Sequence, residues 1–317
     1  MRGVFTAGAL CALEMLGLRG AFDAVYGSSA GAVNGAYFLT GQVTLGTSIY
    51  YEDINNRTFI DWRRILAGTA VDLDYCYEEI VGQRKRLDLE GLLASSTPLH
   101  IFTTNVAETR AERFTQAESA TPRDLLTLLK ASAAMPLVYR RPVLHRGARH
   151  VDGALLVPVP LLEAIAGGAT HILVLLSRPL ATAARTPQAI LMPLVLRSID
   201  RRRYRALARV WTAGQEHLRA AIALLAATEN SVTAQKDTGG GVHLAVIAPP
   251  PVFSVKRWTT NRAALLAAAE LGARRTLALF GPAGTALAPR DALGPEAAPY
   301  FASTMLRAAE KPGASTR

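Results

Sequence analysis

Apolar residues follow a helical pattern from Val4 to Leu16, and Gly17 supplies a stop. The run Ala21–Tyr26 is short and apolar and predicts a buried strand. Ala30 to Thr40 predicts a helix that opens with small residues, so Gly27-Ser28-Ser29 falls at a strand-to-helix junction. Residues 46 to 97 give a mixed pattern, helical or irregular over 58–66 and 75–81. Leu99 to Asn105 predicts a strand. Pro122 to Ala134 predicts a helix, capped by Thr121 and ended by Pro136.

Farther along, Val143-Leu144 and Arg149-His150-Val151 flank Arg146-Gly147-Ala148 and predict a small hairpin. Leu161 to Ala166 predicts a short helix closed by Gly167-Gly168. The continuous apolar run His171–Leu176 predicts a strand covered on both faces. A long helical pattern from Gln188 to Ala227 breaks near Pro193. Val242 to Ala248 predicts another buried strand, ended by three prolines, and Asn261 to Phe280 a last helix. Strands alternating with helices predict an α/β layer fold. No linker divides the chain, so we expect one domain over residues 1–302 and a disordered tail over 303–317.

Half of the 317 residues are hydrophobic, enough for a sizeable core. A net charge of +10 suits an anionic membrane, an acidic substrate or nucleic acid. No aromatic-basic RNA signature or zinc-finger spacing is present, so nucleic acid is not expected as a partner. Cys11 and Cys76 are the only cysteines, too few for a disulfide framework or a metal cluster, and they read as reduced thiols of a cytoplasmic protein. We expect neither a signal peptide nor a membrane-spanning helix, while a peripheral membrane contact stays open. Asp53 and Asp72-Leu73-Asp74 lack the spaced ligand set of a cation site, so no metal is expected.

The chemistry centres on Gly27-Ser28-Ser29-Ala30-Gly31, which matches G-x-S-x-G with Ser29 in the middle. In that pattern a strand ends in a strained turn that exposes the serine Oγ. Gly27 and Gly31 leave room where side chains would clash, and the Ala30 N–H at the start of the next helix can help to bind an oxyanion. A plain turn is the competing reading. The serine needs a base. None of the six histidines has a context that singles it out, although His150 neighbours Asp152. A Ser-His-Asp site using His150 or His243 is therefore one alternative. Asp152, in Val151-Asp152-Gly153-Ala154, is another: a carboxylate is a poor base in water, but a partly dry site makes it a better one. An ordinary Asp-Gly turn is the bland account of the same residues.

Taken together, the motifs resemble the patatin-like phospholipases. Ser29 falls on the family's G-x-S-x-G serine and Asp152 on its D-G-A/G aspartate, with Gly153 and Ala154 completing that motif. Ala131-Ser132-Ala133-Ala134-Met135-Pro136 is similar to the segment upstream of the aspartate. The resemblance runs from residue 2 to about 180 and continues more loosely to the final helix. It implies a three-layer α/β/α fold with a central, mostly parallel sheet. It also implies a Ser-Asp dyad without histidine that cleaves acyl esters of lipids through an acyl-enzyme, with no cofactor. Family members carry an oxyanion loop G-G-G-x-R/K-G after a first strand. Here Arg2-Gly3 matches its tail, Met1 takes the x position, and the triple glycine and strand do not appear. We expect upstream residues in the native protein. The rival expectations are a relative impaired in catalysis that binds lipid or a protein partner, and another loop that supplies the oxyanion donors.

Arg197, Arg201, Arg205 and Arg209 are spaced by four and form one helical stripe. A solvated basic face over a packed core, with Trp211 buried, explains it. The sharper reading is a contact for anionic headgroups, with Trp211 at the membrane interface.

Overall fold

The computed structural model describes residues 1–184, 205–227 and 241–280. The chain opens with helix α1 (Gly3–Met15), strand β1 (Val25–Ser28), and helices α2 (Ala30–Leu39) and α3 (Val43–Glu52). A π-helical segment, Tyr75–Arg84, precedes the short α4 (Leu89–Leu93). Next come β2 (Leu99–Asn105), β3 (Arg110–Thr115), α5 (Pro122–Ala133) and the hairpin β4 (Val143–His145) and β5 (Ala148–Asp152). The remaining elements are α6 (Leu161–Ala166), β6 (His171–Leu175), α7 (Leu180–Ala183), α8 (Arg205–Ala226), β7 (His243–Ile247) and α9 (Arg262–Phe280).

Strand β2 organises the central sheet. It is apolar or small and buried over nearly its whole length. One edge pairs antiparallel with β3 over residues 100–105. Residues 99–102 of β2 also pair with β1, in parallel, and residues 103–105 pair with β5, antiparallel. Because β3 occupies one edge of β2 throughout, β1 and β5 share the other edge end to end. Ser28 is opposite Phe102 and Asp152 is opposite Thr103. The sheet is mixed, and β6 and β7 form a separate parallel pair. The α/β architecture predicted from the alternation of strands and helices is the one observed.

Helix α1 is apolar on every side and is buried from Gly3 to Leu13. It crosses α9 at backbone distance: a Cβ on Gly8 would meet the Ala269 carbonyl, and one on Gly272 the Phe5 carbonyl. The main core gathers α1, α2, α3, α5, α9 and β2. A second apolar cluster joins Leu218, Ile222 and Leu225 of α8 to Val174 and Leu244 of the small sheet. Local signals account for several boundaries. Thr121 Oγ1 accepts from Asp124 N at 3.1 Å with Pro122 in the first turn, and Asn261 Oδ1 accepts from Ala264 N at 2.9 Å. The β4–β5 hairpin turns on Arg146 and Gly147, both at positive φ.

Four details differ from the sequence reading. Strand β1 begins at Val25, because Leu18–Ala21 is a 3-10 turn. Helix α3 and strand β3 lie where the apolar pattern gave no clear element. Strand β6 is only half-buried, since Ile172 to Leu176 line a cavity. Trp211 is 6% exposed and packs with Val106, Val151 and Leu155, so it does not sit at a membrane interface. Gly214 allows this packing, because a Cβ there would overlap the Leu155 carbonyl. Arg205 and Arg209 fall on α8, while Arg197, Arg201 and the expected tail over 303–317 lie outside the described residues. Among the described residues, no helix is long and apolar enough to cross a membrane.

Candidate active site

Strand β1 delivers the chain to Ser29, which leaves it at φ 56° and ψ −127°. A non-glycine residue rarely adopts this conformation, and holding it costs about 1–3 kcal/mol. Three contacts keep it there. The Ser29 N–H donates to Ser132 Oγ at 3.0 Å, and Ser132 in turn donates to the Phe102 carbonyl at 2.7 Å. The neighbouring Ser28 Oγ donates to the Val157 carbonyl at 2.7 Å. Gly27 is required by its surroundings, since a Cβ would lie 2.6 Å from Ala32 N. Gly31 differs from the expectation: a Cβ there would meet nothing within 4 Å, because Gly31 opens onto the cavity rather than against the protein.

The Ser29 hydroxyl donates to Asp152 Oδ2 at 3.0 Å. Asp152 is 2% exposed, and its other oxygen accepts from Ala154 N at 2.8 Å. The Thr104 hydroxyl donates to the Asp152 carbonyl at 3.0 Å, and Asp152 N donates to the Ala134 carbonyl at 3.1 Å. Gly153 must be glycine, for a Cβ would overlap the Phe102 carbonyl. Burial raises the Asp152 carboxyl from 3.8 to about 6, against the opposing pull of the Ala154 N–H, the Ser29 hydroxyl and the Arg257 charge. A buried carboxylate with a raised pKa, hydrogen-bonded to a strained serine, can accept that serine's proton near neutral pH.

The two histidines weighed as bases are engaged elsewhere. His150 Nδ1 is 2.9 Å from Thr103 Oγ1, with its ring against Phe114. His243 stacks on His171 with ring centroids 4.6 Å apart.

Ser29 and Asp152 line a cavity of about 820 Å³, together with Met1, Arg2 and Gly3. The starts of α1 and α2 abut there: a Cβ on Gly3 would lie 2.9 Å from the Ala30 Cβ. The first N–H groups of a helix have no acceptor within the helix, so both starts bring donors to the cavity. A buried network fixes their relation. Asn34 Nδ2 donates to the Gly3 carbonyl at 3.0 Å, and the Tyr50 hydroxyl donates to Asn34 Oδ1 at 3.0 Å. Asn34 and Ser132 were missed as site residues by the sequence reading. For Asn34 the available signal was a polar residue within an otherwise apolar or small helical stretch, and Ser132 lay in the segment already matched to the one upstream of the aspartate. Among the described residues, no cluster of His, Cys, Asp and Glu could hold a metal ion.

A family model described as "Patatin-like phospholipase" matches residues 1–165. The chain is also 28% identical over 180 residues to "Uncharacterized protein YjjU" of Escherichia coli (strain K12). That match covers 56% of this chain and 49% of the relative, so the chain spans about half the length of the curated relative it matches. The family match takes in the serine turn, the aspartate and the strands that hold them, and the chain belongs to the patatin-like phospholipase family of lipid acyl hydrolases.

Proposed function

We propose that this chain hydrolyses carboxylic ester bonds of lipids with Ser29 as nucleophile and Asp152 as base. The hydrogen bond from Ser29 Oγ to Asp152 Oδ2, at the wall of a large and mainly apolar cavity, carries the reading. In the first step Ser29 Oγ attacks the ester carbonyl carbon while Asp152 takes its proton. The carbonyl oxygen becomes an oxyanion near the starts of α1 and α2, where the N–H groups of Ala30 and Gly3 are the proposed donors. The Ser29 N–H is committed to Ser132 and is not among them. The C–O bond to the alcohol then breaks, and Asp152 returns the proton to the leaving oxygen. Water attacks the acyl-Ser29 ester with Asp152 again as base. The fatty acid leaves, and Ser29 recovers its proton.

Arg2 lies at the same cavity wall and stabilises developing negative charge in this account. Hydrolysis of p-nitrophenyl butyrate and of a dispersed phospholipid tests the assignment. Ser29→Ala should abolish both activities. Full activity of folded Ser29→Ala would place the nucleophile elsewhere.

A further inference from the structure

Residues 61–70 form a loop that closes on itself beside the cavity. Ile60 and Val71 bridge its base, with Asp61 N donating to the Ala70 carbonyl at 2.9 Å and Asp72 N to the Phe59 carbonyl at 2.8 Å. The Arg140 N–H ties the loop to a neighbouring segment through the Gly68 carbonyl at 2.7 Å. The base is buried: Phe59, Ile60 and Val71 belong to the main core and line the cavity that holds Ser29. Beyond the base two large apolar residues turn outward. Leu66 is 90% exposed and Trp62 is 46% exposed. Asp61 shapes the backbone around Trp62, since its Oδ1 accepts from Arg63 N at 3.0 Å and starts the 3-10 turn Trp62–Arg64.

Covering such side chains is favourable, so a leucine and a tryptophan on one tethered loop mark a surface that meets something. Trp62 also joins the loop to the cavity. Its ring meets Trp258 edge-on with centroids 4.8 Å apart, and Trp258 lines the cavity. Tryptophan suits the boundary between water and lipid, where its ring is covered and its N–H stays wet. The charge around the loop is positive in balance. Arg57, Arg63, Arg64, Arg140 and Arg141 outnumber Asp61, Asp72 and Asp74. The Arg63 and Arg141 side chains are 77% and 68% exposed although each has an aspartate partner, so both also face outward.

We propose that the loop carrying Trp62 and Leu66 docks this chain on the surface of an anionic lipid bilayer. The two apolar side chains enter the headgroup layer, and the arginines around them meet the anionic lipids. This rests on the cavity being the ester-binding site, because docking there brings the cavity wall at Trp258 to the lipid. A bilayer answers both features of the loop. Two apolar side chains fall well short of the roughly 800 Å² that a stable protein partner covers. They suffice to seat a loop among headgroups when basic residues add attraction. The bridged base and the Gly68 tether preform the loop, so docking orders little further chain.

Sedimentation of the full-length Ser29→Ala protein with sucrose-loaded vesicles tests the docking without relying on catalysis. The vesicles are phosphatidylcholine alone, and phosphatidylcholine mixed with phosphatidylglycerol. The protein should partition onto the mixed vesicles about tenfold more strongly, with the difference shrinking at high salt. Leu66→Asp and Trp62→Ser should each lower that partition about fivefold or more. Arg63→Glu combined with Arg141→Glu should bring it down to the level of phosphatidylcholine alone. With Ser29 in place, Leu66→Asp should slow hydrolysis of vesicle lipid and leave hydrolysis of dissolved p-nitrophenyl butyrate unchanged. Equal partition onto both kinds of vesicle would overturn the proposal, as would unchanged partition in folded Leu66→Asp and Trp62→Ser. An equal loss on the dissolved ester would make Leu66 part of the cavity and overturn its docking role. A dimer in light scattering that Leu66→Asp converts to a monomer would give the patch to a second copy of this chain and overturn the bilayer assignment. Binding is read in a protein without the Ser29 hydroxyl, so failure of the docking and failure of the nucleophile assignment are distinguishable.

Discussion

Ser29 Oγ lies 3.0 Å from Asp152 Oδ2 although 123 positions separate the two residues. The sheet accounts for the meeting. Strands β1 and β5 approach each other along one edge of β2, and their facing ends carry the serine turn and the aspartate. The first consequence concerns pH. Asp152 must be ionised to accept the serine proton, and burial raises it to about 6. The rate kcat/KM on a neutral ester should therefore rise through that pH and level off above it. A pH–rate profile checks this; an acid limb near the ordinary carboxylate value would contradict the buried base.

Replacing the base separates activity from stability. Asp152 binds more protons folded than unfolded between 3.8 and about 6, so ionising it opposes folding. The stabilisation from its neutral form is complete below this window and is lost as pH rises through it. Asp152→Asn escapes that loss. The variant should lose about 10³-fold or more in rate. It should also be more stable than the parent at pH 8, by up to about 3 kcal/mol, and similar to it at pH 4. Denaturant unfolding at both pH values measures the difference, and a less stable variant at pH 8 would contradict the account.

The serine turn stores strain that Ser132 helps to hold. Ser132→Ala leaves the Ser29 N–H without its acceptor and should cost about 1–3 kcal/mol of stability, with reduced kcat. Ser29→Gly accepts positive φ freely and should be more stable than Ser29→Ala, which keeps the strain and lacks the hydroxyl. Thermal unfolding of the three variants gives the order.

The two glycines of the motif should behave differently. Gly27→Ala drives a Cβ into the backbone of α2 and should destabilise the fold by about 1–3 kcal/mol. Gly31→Ala adds a methyl in open space on a helix, so stability should hold or improve by up to about 1 kcal/mol. Its effect belongs in KM, because the methyl enters the cavity. Paired unfolding curves and steady-state kinetics test the contrast.

Much of this was legible in the sequence. Strand β2 and helix α5 follow from apolar runs and a capped start, and their boundaries agree with the structure to within a residue. The serine motif stood out by its spacing. Other parts carry no local signal. Strand β3 reads Arg-Ala-Glu-Arg-Phe-Thr because it is the partly exposed strand outside the buried β2, so alternation with the core is weak. Helix α3 buries Gly46, Thr47 and Ser48 alongside Ile49, which blurs its apolar stripe. The tether from Ser132, the Asn34 network and the meeting of Trp62 with Trp258 depend on contacts between distant segments. Trp211 had two readings in the sequence, a surface anchor beside basic residues or a core position, and it packs against the strand that carries Asp152.

Labelling with a fluorophosphonate probe, followed by peptide mass spectrometry, tests the central claim most directly. The account predicts one modified residue, Ser29, with labelling strongly slowed in Asp152→Asn and at pH well below 6. Folded protein that remains unlabelled, or that is labelled at another serine, would contradict it.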